Sequence, residues 1–374
     1  MKLASITAEP LAIPFKVAFR HASAERFTTQ SVWVEARSRD GNVGYGEGCP
    51  REYVTAESIE TAQKFVAAHR AAWIDAIGDA DTLASWVAAH REQIDIDPAA
   101  WTAVELALLD LIGRCKGKSV ESLLGISAIS GHFRYTAVLG DAAPAQFSAQ
   151  LAHYRKAGFD TFKIKLSGDA PRDRAKVAAL AATGVDPQRV RADANNLWQT
   201  ADDAIRALEA LQFRFFALEE PLRTGDYKGM SRLAAVLGTR IILDESLARP
   251  DQLDCLPGSA ELWIANLRVS KMGGVLRSLE VVQALRSRRI NLIVGAHVGE
   301  TSVLTRAALT VAHSARDILV AQEGAFGTHL LARDVANPPL MFGPGGVLDS
   351  ATLPRGAPGF GLAIVKPDLP ADAR

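Results

Sequence analysis

Cysteine is scarce in this chain. The three present, Cys49, Cys115 and Cys255, are widely spaced and fall in no CxxC or Cys/His pattern, which excludes a disulfide framework and a thiolate zinc site and fits a reducing compartment. Net charge is missing as well. With 42 basic residues against 42 acidic ones there is no global field to hold a polyanion, so neither nucleic acid nor an acidic membrane is expected as a partner. Long apolar runs are also lacking. Glu9, Pro10 and Pro14 interrupt the start of the chain before a signal peptide could form, and no stretch approaches the roughly 18 unbroken apolar residues of a membrane-spanning helix. These absences together predict a soluble, cytoplasmic protein.

What is present is an ordinary folding composition, 48% hydrophobic and 22% charged, which excludes a disordered or fibrous chain. At roughly 150 residues per domain, 374 residues suggest two or three units. Up to about residue 50, β-branched and aromatic residues alternate with polar ones, as in Ser31-Val32-Trp33-Val34-Glu35. The Asp40-Gly41-Asn42 turn signal makes this a small antiparallel sheet. Ala56 to Leu124 switches to helical periodicity, with Ile59, Ala62, Phe65 and Val66, then Trp101, Val104, Leu108 and Leu111, on apolar faces. Residues 1–125 therefore read as an α+β unit, closed by the connection Gly125 to Gly131.

From residue 126 to 325, eight short apolar strands recur: Tyr135–Leu139, Thr161–Leu166, Val190–Asp193, Phe215–Glu219, Ile241–Asp244, Trp263–Arg268, Leu292–Gly295 and Ile318–Gln322. Polar residues at or just beyond the ends of the last seven, Lys165, Asp193, Glu219, Asp244, Arg268, His297 and Glu323, follow one another at steps of 24 to 29 residues. That regularity, with a helical pattern after each of the first seven strands, favours a closed parallel barrel over a doubly wound sheet. Residues 326–374, rich in Pro and Gly, read as an irregular segment returning to the first unit.

In such a barrel the strand ends converge on one mouth. Asp193, Glu219 and Asp244 end three consecutive strands, and three hard oxygen donors with no His or Cys nearby favour Mg2+ over zinc. Helix N-capping is the plainer role for any one of them, but three in register argue against it. Lys163 and Lys165, two apart on a strand, project to one face. Each ammonium disfavours the charge of the other, so one lysine is expected to have a pKa low enough to act as a base.

Taken in order, Lys163-Ile164-Lys165, Asp193-Ala194-Asn195, Glu219-Glu220-Pro221, Asp244-Glu245-Ser246 and Lys271-Met272-Gly273-Gly274 resemble the enolase superfamily, and within it the muconate cycloisomerase subgroup of the mandelate racemase/muconate lactonizing enzyme family. Pro14-Phe15-Lys16 and Gly44-Tyr45-Gly46-Glu47 extend the likeness into the first unit, so it covers essentially the whole chain. The resemblance implies an α/β fold, a modified TIM barrel (β/α)7β with an α+β capping domain. It implies one Mg2+ per subunit, or Mn2+ in its place, held by Asp193, Glu219 and Asp244. It implies removal of the proton α to a substrate carboxylate by Lys165, with Lys163 lowering that lysine's pKa and the metal stabilising an enediolate.

One position departs from the pattern. Many relatives carry a lysine five residues before the first Gly of the Gly-Gly pair; here that residue is Arg268. Arginine stays protonated, so it is a poor proton donor or acceptor. One-base chemistry is therefore the leading expectation, a cycloisomerase or a dehydratase-type lyase on a small carboxylate. A dipeptide or amino-acid epimerase is the alternative, and an inactive binding protein a third reading that the intact charged set opposes. Arg268 is expected to face Lys165 across the substrate as a fixed cation that stabilises developing negative charge or binds a substrate carboxylate; a salt bridge to a metal-ligand carboxylate or to Glu245, with no direct role, is an equal reading. His297 and Asn195 are expected at the substrate and Glu323 at the substrate or at Arg268, although a plain structural role fits His297 and Glu323 equally well. Substrate choice is assigned to two loops, Ala18 to Thr29 with His21 and Cys49 to Thr55 with Tyr53. The outer helices of such barrels also serve assembly into homo-oligomers.

Overall fold

The computed structural model describes residues 1–21, 24–324 and 327–365. The first unit contains β1 (Leu3–Leu11), β2 (Pro14–His21), β3 (Ala24–Thr28), β4 (Ser31–Ser38) and β5 (Val43–Gly48), with β1, β4 and β5 forming an antiparallel sheet. Gly41, at φ 86°, makes the turn between β4 and β5. Where a loop was expected over residues 18–29, β2 and β3 pair as an antiparallel hairpin with Pro14 opposite Thr28.

Two long helices cover the sheet. Helix α1 (Ile59–Ala76) opens with a reciprocal Ser58/Thr61 cap, and α2 (Pro98–Lys116) begins on Pro98 and ends at left-handed Gly117. A shared period fastens α2 to β5. Gly44, Gly46 and Gly48 recur every two residues on the strand, and their faces meet Ala107, Ala103 and Ala99, which recur every four on the helix. Two strand residues rise about 6.7 Å and four helical residues about 6 Å, so the two rows stay in step. The approach leaves no room for a side chain: a Cβ at Gly46 would lie 1.9 Å from the Ala103 carbonyl oxygen.

The second unit is an eight-stranded sheet whose spatial order follows the chain: β6 (Ala137–Leu139), β7 (Phe162–Lys165), β8 (Val190–Asp193), β9 (Ala217–Glu219), β10 (Arg240–Leu243), β11 (Trp263–Leu267), β12 (Asn291–Val294) and β13 (Leu319–Gln322). Neighbouring strands are parallel. The Thr136 N–H donates to the Gln322 carbonyl at 2.8 Å, bringing the last strand back to the first and closing the barrel. Inside, Ala217, Ile242, Ile264 and Ile293 form a small apolar cluster of their own. Two positions further along their chains stand Glu219, Asp244, Asn266 and Gly295, so strand alternation lays a polar layer directly over an apolar floor.

Helices follow six of the first seven barrel strands. The exception is the connection from β10 to β11, expected to be helical, which carries only the 3-10 turns Pro250–Cys255 and Ala260–Leu262. Pro250 and Pro257-Gly258 bracket six residues, too few for a stable α-helix. Among the described residues no helix is long and apolar enough to cross a membrane.

The two units are bonded together. Glu105 of α2 accepts the N–H groups of Val275 (2.5 Å) and Leu276 (3.1 Å), the first turn of α3 (Gly274–Arg288). Gly274 makes this possible, since a Cβ there would lie 2.4 Å from the Glu105 carboxylate. The C-terminal segment runs back over α2, where the Phe360 N–H donates to Asp110 at 2.9 Å and Gly359 exchanges backbone bonds with Lys118 and Val120.

Two predictions follow from this packing. Gly46→Ala should cost about 2–3 kcal/mol in urea unfolding, because neither backbone can yield. Burial raises the Glu105 pKa to about 7 against the opposing bonds from Leu276 and Val275. Between its ordinary value of 4.5 and about 7 the folded protein holds a proton that the unfolded chain has released. Stability therefore falls as pH rises through that window. Glu105→Gln, which cannot titrate, should flatten the decline measured between pH 5 and pH 8.

Candidate active site

Strand β7 alternates cleanly: Phe162 and Ile164 join the apolar layer under the helices, while Lys163 is buried at the polar mouth. Lys163 Nζ donates to Glu219 Oε1 (2.7 Å) and Glu323 Oε2 (3.0 Å) and lies 3.5 Å from Asp193 Oδ2. Burial alone would lower its pKa, but the three carboxylates outweigh burial and hold the ammonium charged. Lys165 is differently placed. Its side chain is 15% exposed, donates to Asn195 Oδ1 at 2.9 Å and stands 3.6 Å from Asp193. Of the two lysines, one is locked and one faces the mouth.

The three acidic strand ends adjoin one another. Asp193 and Glu219 are register partners on β8 and β9, and Asp244 lies one residue beyond β10. Burial raises the Glu219 pKa well above the usual carboxylate range, and Asp193, Glu323 and Asp244 add to it against Lys163. Asp193 is held low because Lys163, Lys165 and the Asn195 N–H outweigh its burial. Asp244 is held low likewise, by Arg268 and Lys271.

Among the described residues, no group of three or more His, Cys, Asp and Glu side chains stands gathered as a metal-ligand set. Protein cations face these oxygens. Arg268 bonds Asp244 Oδ2, Lys271 donates to Asp244 Oδ1 at 2.9 Å, and Lys163 takes Glu219 Oε1. One oxygen is left over: Glu219 Oε2 is buried with no hydrogen-bond partner. A crowded, hard-oxygen, carboxylate-rich pocket with an orphaned oxygen is chemically suited to a hard dication; Asp244 is the member now covered.

The remaining predicted residues separate into those at the mouth and those tied up elsewhere. Arg268, one residue past β11, ion-pairs with Asp244, as one of its two sequence readings expected. Glu323, expected to meet substrate or Arg268, has its oxygens taken by Lys163 and by Arg191 Nη2 at 2.9 Å. Asn195, at φ 44°, turns back over the strand end so that its backbone N–H donates to Asp193 Oδ1 and its side-chain Oδ1 accepts from Lys165. His297 is 1% exposed beyond β12, and both ring nitrogens lack a partner. Burial, then Arg268, Arg51 and Lys271, lower its pKa well below normal against the opposing pull of Asp244, so the imidazole is neutral at pH 7. Tyr53 is 42% exposed beneath the Arg26 guanidinium, 5.3 Å from its ring centre. The side chain of His21 lies outside the described residues.

Several residues that shape this site had no role assigned from sequence. Glu220 accepts the Asp244 and Ser246 N–H groups (both 2.7 Å) and the Ser246 hydroxyl, clamping the turn that carries Asp244. Lys271 ties Asp244 to the Asn266 carbonyl. Both lie inside the motifs quoted above, which was the available signal. Arg191 lies outside those motifs, and Arg51 lies in the Cys49 to Thr55 loop to which substrate choice was assigned.

Removing Lys163 leaves Glu219 buried with no cation bonded to it and Glu323 with Arg191 alone, whereas Lys165 has one close partner and partial exposure. Lys163→Met should therefore cost about 3–5 kcal/mol in denaturant unfolding and Lys165→Met about 1 kcal/mol or less.

Comparison with known proteins agrees with this layout. Residues 146–368 match the family described as enolase C-terminal domain-like, and residues 3–125 match the mandelate racemase/muconate lactonizing enzyme N-terminal domain. The hydrophobic dipeptide epimerase of Enterococcus faecalis is 28% identical over 325 residues, spanning 85% of this chain and 89% of that protein. The dipeptide epimerase from Methylococcus capsulatus, solved with Mg and the dipeptide L-Arg-D-Lys, superposes with a TM-score of 0.79 at 26% identity, covering 97% of this chain and 99% of that one. Muconate lactonizing enzyme superposes equally well, at TM-score 0.79 and 25% identity over 97% of each chain. The sequence relatives are thus epimerases rather than the cycloisomerases that the motif reading had put first. With both parts of its length matched in order, the chain belongs to the mandelate racemase/muconate lactonizing enzyme family of the enolase superfamily.

Proposed function

We propose that this chain is a Mg2+-dependent isomerase that removes the proton α to the carboxylate of a dipeptide or a related amino-acid derivative and epimerises that carbon. The observation that carries the reading is the division of labour between the paired lysines. Lys163 is locked as a cation by three carboxylates, and Lys165 stands at the mouth with Asn195 as its one close partner. Lys165 is accordingly the base. Asn195 holds its Nζ in place, and Asp193 is near enough to receive part of its positive charge after proton uptake. Asp193, Glu219 and Asp244 would hold the metal, which when bound supplies positive charge where the substrate carboxylate gains negative charge. The Mg-bound epimerase relative supports that cofactor. The cap, residues 1–125, sets Arg26 over Tyr53; the barrel is assigned to residues 126–325; and in the segment 326–374 Phe360 bonds Asp110 of the cap and Arg306 of the barrel.

Inversion needs a proton delivered to the opposite face. Arg268 cannot readily supply it, being a permanent cation paired with Asp244. His297 can serve that face as a base: its imidazole is neutral, buried and free at both nitrogens, so it takes the α-proton there while the Lys165 ammonium delivers one from the other face, and the reverse direction runs from the imidazolium and neutral Lys165 so formed. Arg268 at the same time favours a second reading, a one-base lyase or cycloisomerase in which a fixed cation faces Lys165 across the substrate.

Incubation with a library of dipeptides and simple carboxylates in D2O separates the two. Epimerisation requires deuterium entry with inversion, the one-base reading requires entry with retention, and absence of exchange across the library would sink both. Lys165→Ala should reduce exchange by about 10²–10⁴-fold, the range typical of a lost general base.

A further inference from the structure

The loop that carries His297 is gripped from the capping unit at two points. At one end, Glu47 of β5 accepts the Thr301 N–H (3.1 Å) and hydroxyl (2.6 Å). At the other stands Arg51, 2% exposed, just beyond β5. Its Nη1 donates to the carbonyls of Gln30 (2.9 Å) and Pro50 (2.7 Å), and its Nη2 to those of Thr29 (3.2 Å) and Val298 (2.8 Å). Three of these carbonyls belong to the cap and the fourth follows His297. Between the two grips, Gly299 at φ 92° lies so close to the cap that a Cβ would meet Phe15 at 3.0 Å and Thr29 at 3.1 Å.

His297 has no side-chain hydrogen bond of its own. Its backbone N–H donates to Glu300 Oε1 at 2.7 Å, but Nδ1 is 3.7 Å from that oxygen and Nε2 has no partner. The place of the imidazole is therefore set by the backbone of residues 297–301, and that backbone is set by the cap. We propose that Arg51 is a positioning residue of the active site: a guanidinium anchored in the cap that pins residues 29–30 to the loop after β12 and so fixes the His297 imidazole at the barrel mouth. A planar fork with four Nη hydrogens is what four diverging carbonyls require; the three hydrogens of a lysine ammonium, set at a single point, cannot reach them all. The inference rests on the assignment of His297 to the substrate site.

The electrostatics agree with the geometry. The charged groups acting on the imidazole are Arg268, Arg51 and Lys271, which disfavour its protonation, and Asp244, which favours it; Glu300 lies nearest of the carboxyls. Burial raises the Glu300 pKa to about 8, so much of its balancing charge is absent at neutral pH. Arg51 thus both places His297 and helps to keep it neutral.

The test uses no substrate. The ring signals of His297 are identified in proton–carbon NMR spectra by comparison with His297→Asn and followed through a pH titration. Backbone exchange of residues 295–302 is measured in parallel by mass spectrometry. Arg51→Met should raise the His297 midpoint by about one pH unit, by removing a nearby cation, and speed exchange of that segment at least about tenfold. Arg51→Lys, which keeps the charge, should speed exchange while leaving the midpoint low, and it serves as the probe should the Met variant fail to fold. The proposal is overturned if a folded Arg51 variant keeps wild-type ring signals and wild-type exchange in 295–302, or if protection falls equally throughout the chain. Absence of deuterium entry in the wild-type library screen would remove the reaction but leave the pin. Unchanged ring signals together with unchanged exchange in the Arg51 variants would remove the pin but leave the reaction.

Discussion

Charge balance inside a closed barrel is the constraint on which the rest of this structure depends. Lys163 sits under the mouth among Glu219, Glu323 and Asp193, with Arg191 completing Glu323. No one of these groups is tolerable alone at that depth, and together they nearly cancel. The surplus decides what the site is for. Once Lys163 has claimed Glu219 Oε1, the other oxygen of that carboxylate remains buried and unpaired, and the carboxylates around it push its proton affinity up. A pocket in that condition has a standing need for another positive charge.

The same balance sets the two lysines apart. They lie two residues apart on one strand, yet Lys163 is inaccessible and fully paired while Lys165 reaches the mouth and touches Asn195. Mutual repulsion between the lysines, the natural expectation from their spacing, is overridden for Lys163 by the carboxylates around it. Lys163 is a counter-ion to Glu219, Glu323 and Asp193, while the Lys165 ammonium is partly exposed.

The mouth is not a property of the barrel alone. The glycine row of β5 lies flush on the alanine row of α2, which sets the cap as one slab, and that slab reaches the barrel through Glu105, Glu47 and Arg51. Each contact lands on a loop or helix start directly after a barrel strand, where polar backbone groups need partners. The cap therefore does more than lie over the barrel. It holds the Gly-Gly turn beside Arg268 and Lys271 on one side and the His297 loop on the other.

Much of this was legible in the chain itself. The recurrence of polar residues every 24 to 29 positions, each following a short apolar strand, determined a parallel barrel and placed Asp193, Glu219, Asp244, Arg268 and His297 at its mouth. Strand alternation put Lys163 and Lys165 on one face. Local periodicity of this kind survives folding because it is enforced by every strand separately. Only the tertiary structure decided how the charges pair. Glu323 turns to Lys163 and Arg191, and Arg268 and Lys271 turn to Asp244, because closure of the barrel makes neighbours of groups from different strands. Arg51, placed by the sequence only within the Cys49 to Thr55 loop, bridges cap and barrel for the same reason. Its four carbonyl partners lie at residues 29, 30, 50 and 298, and no spacing along the chain records that they meet at one guanidinium.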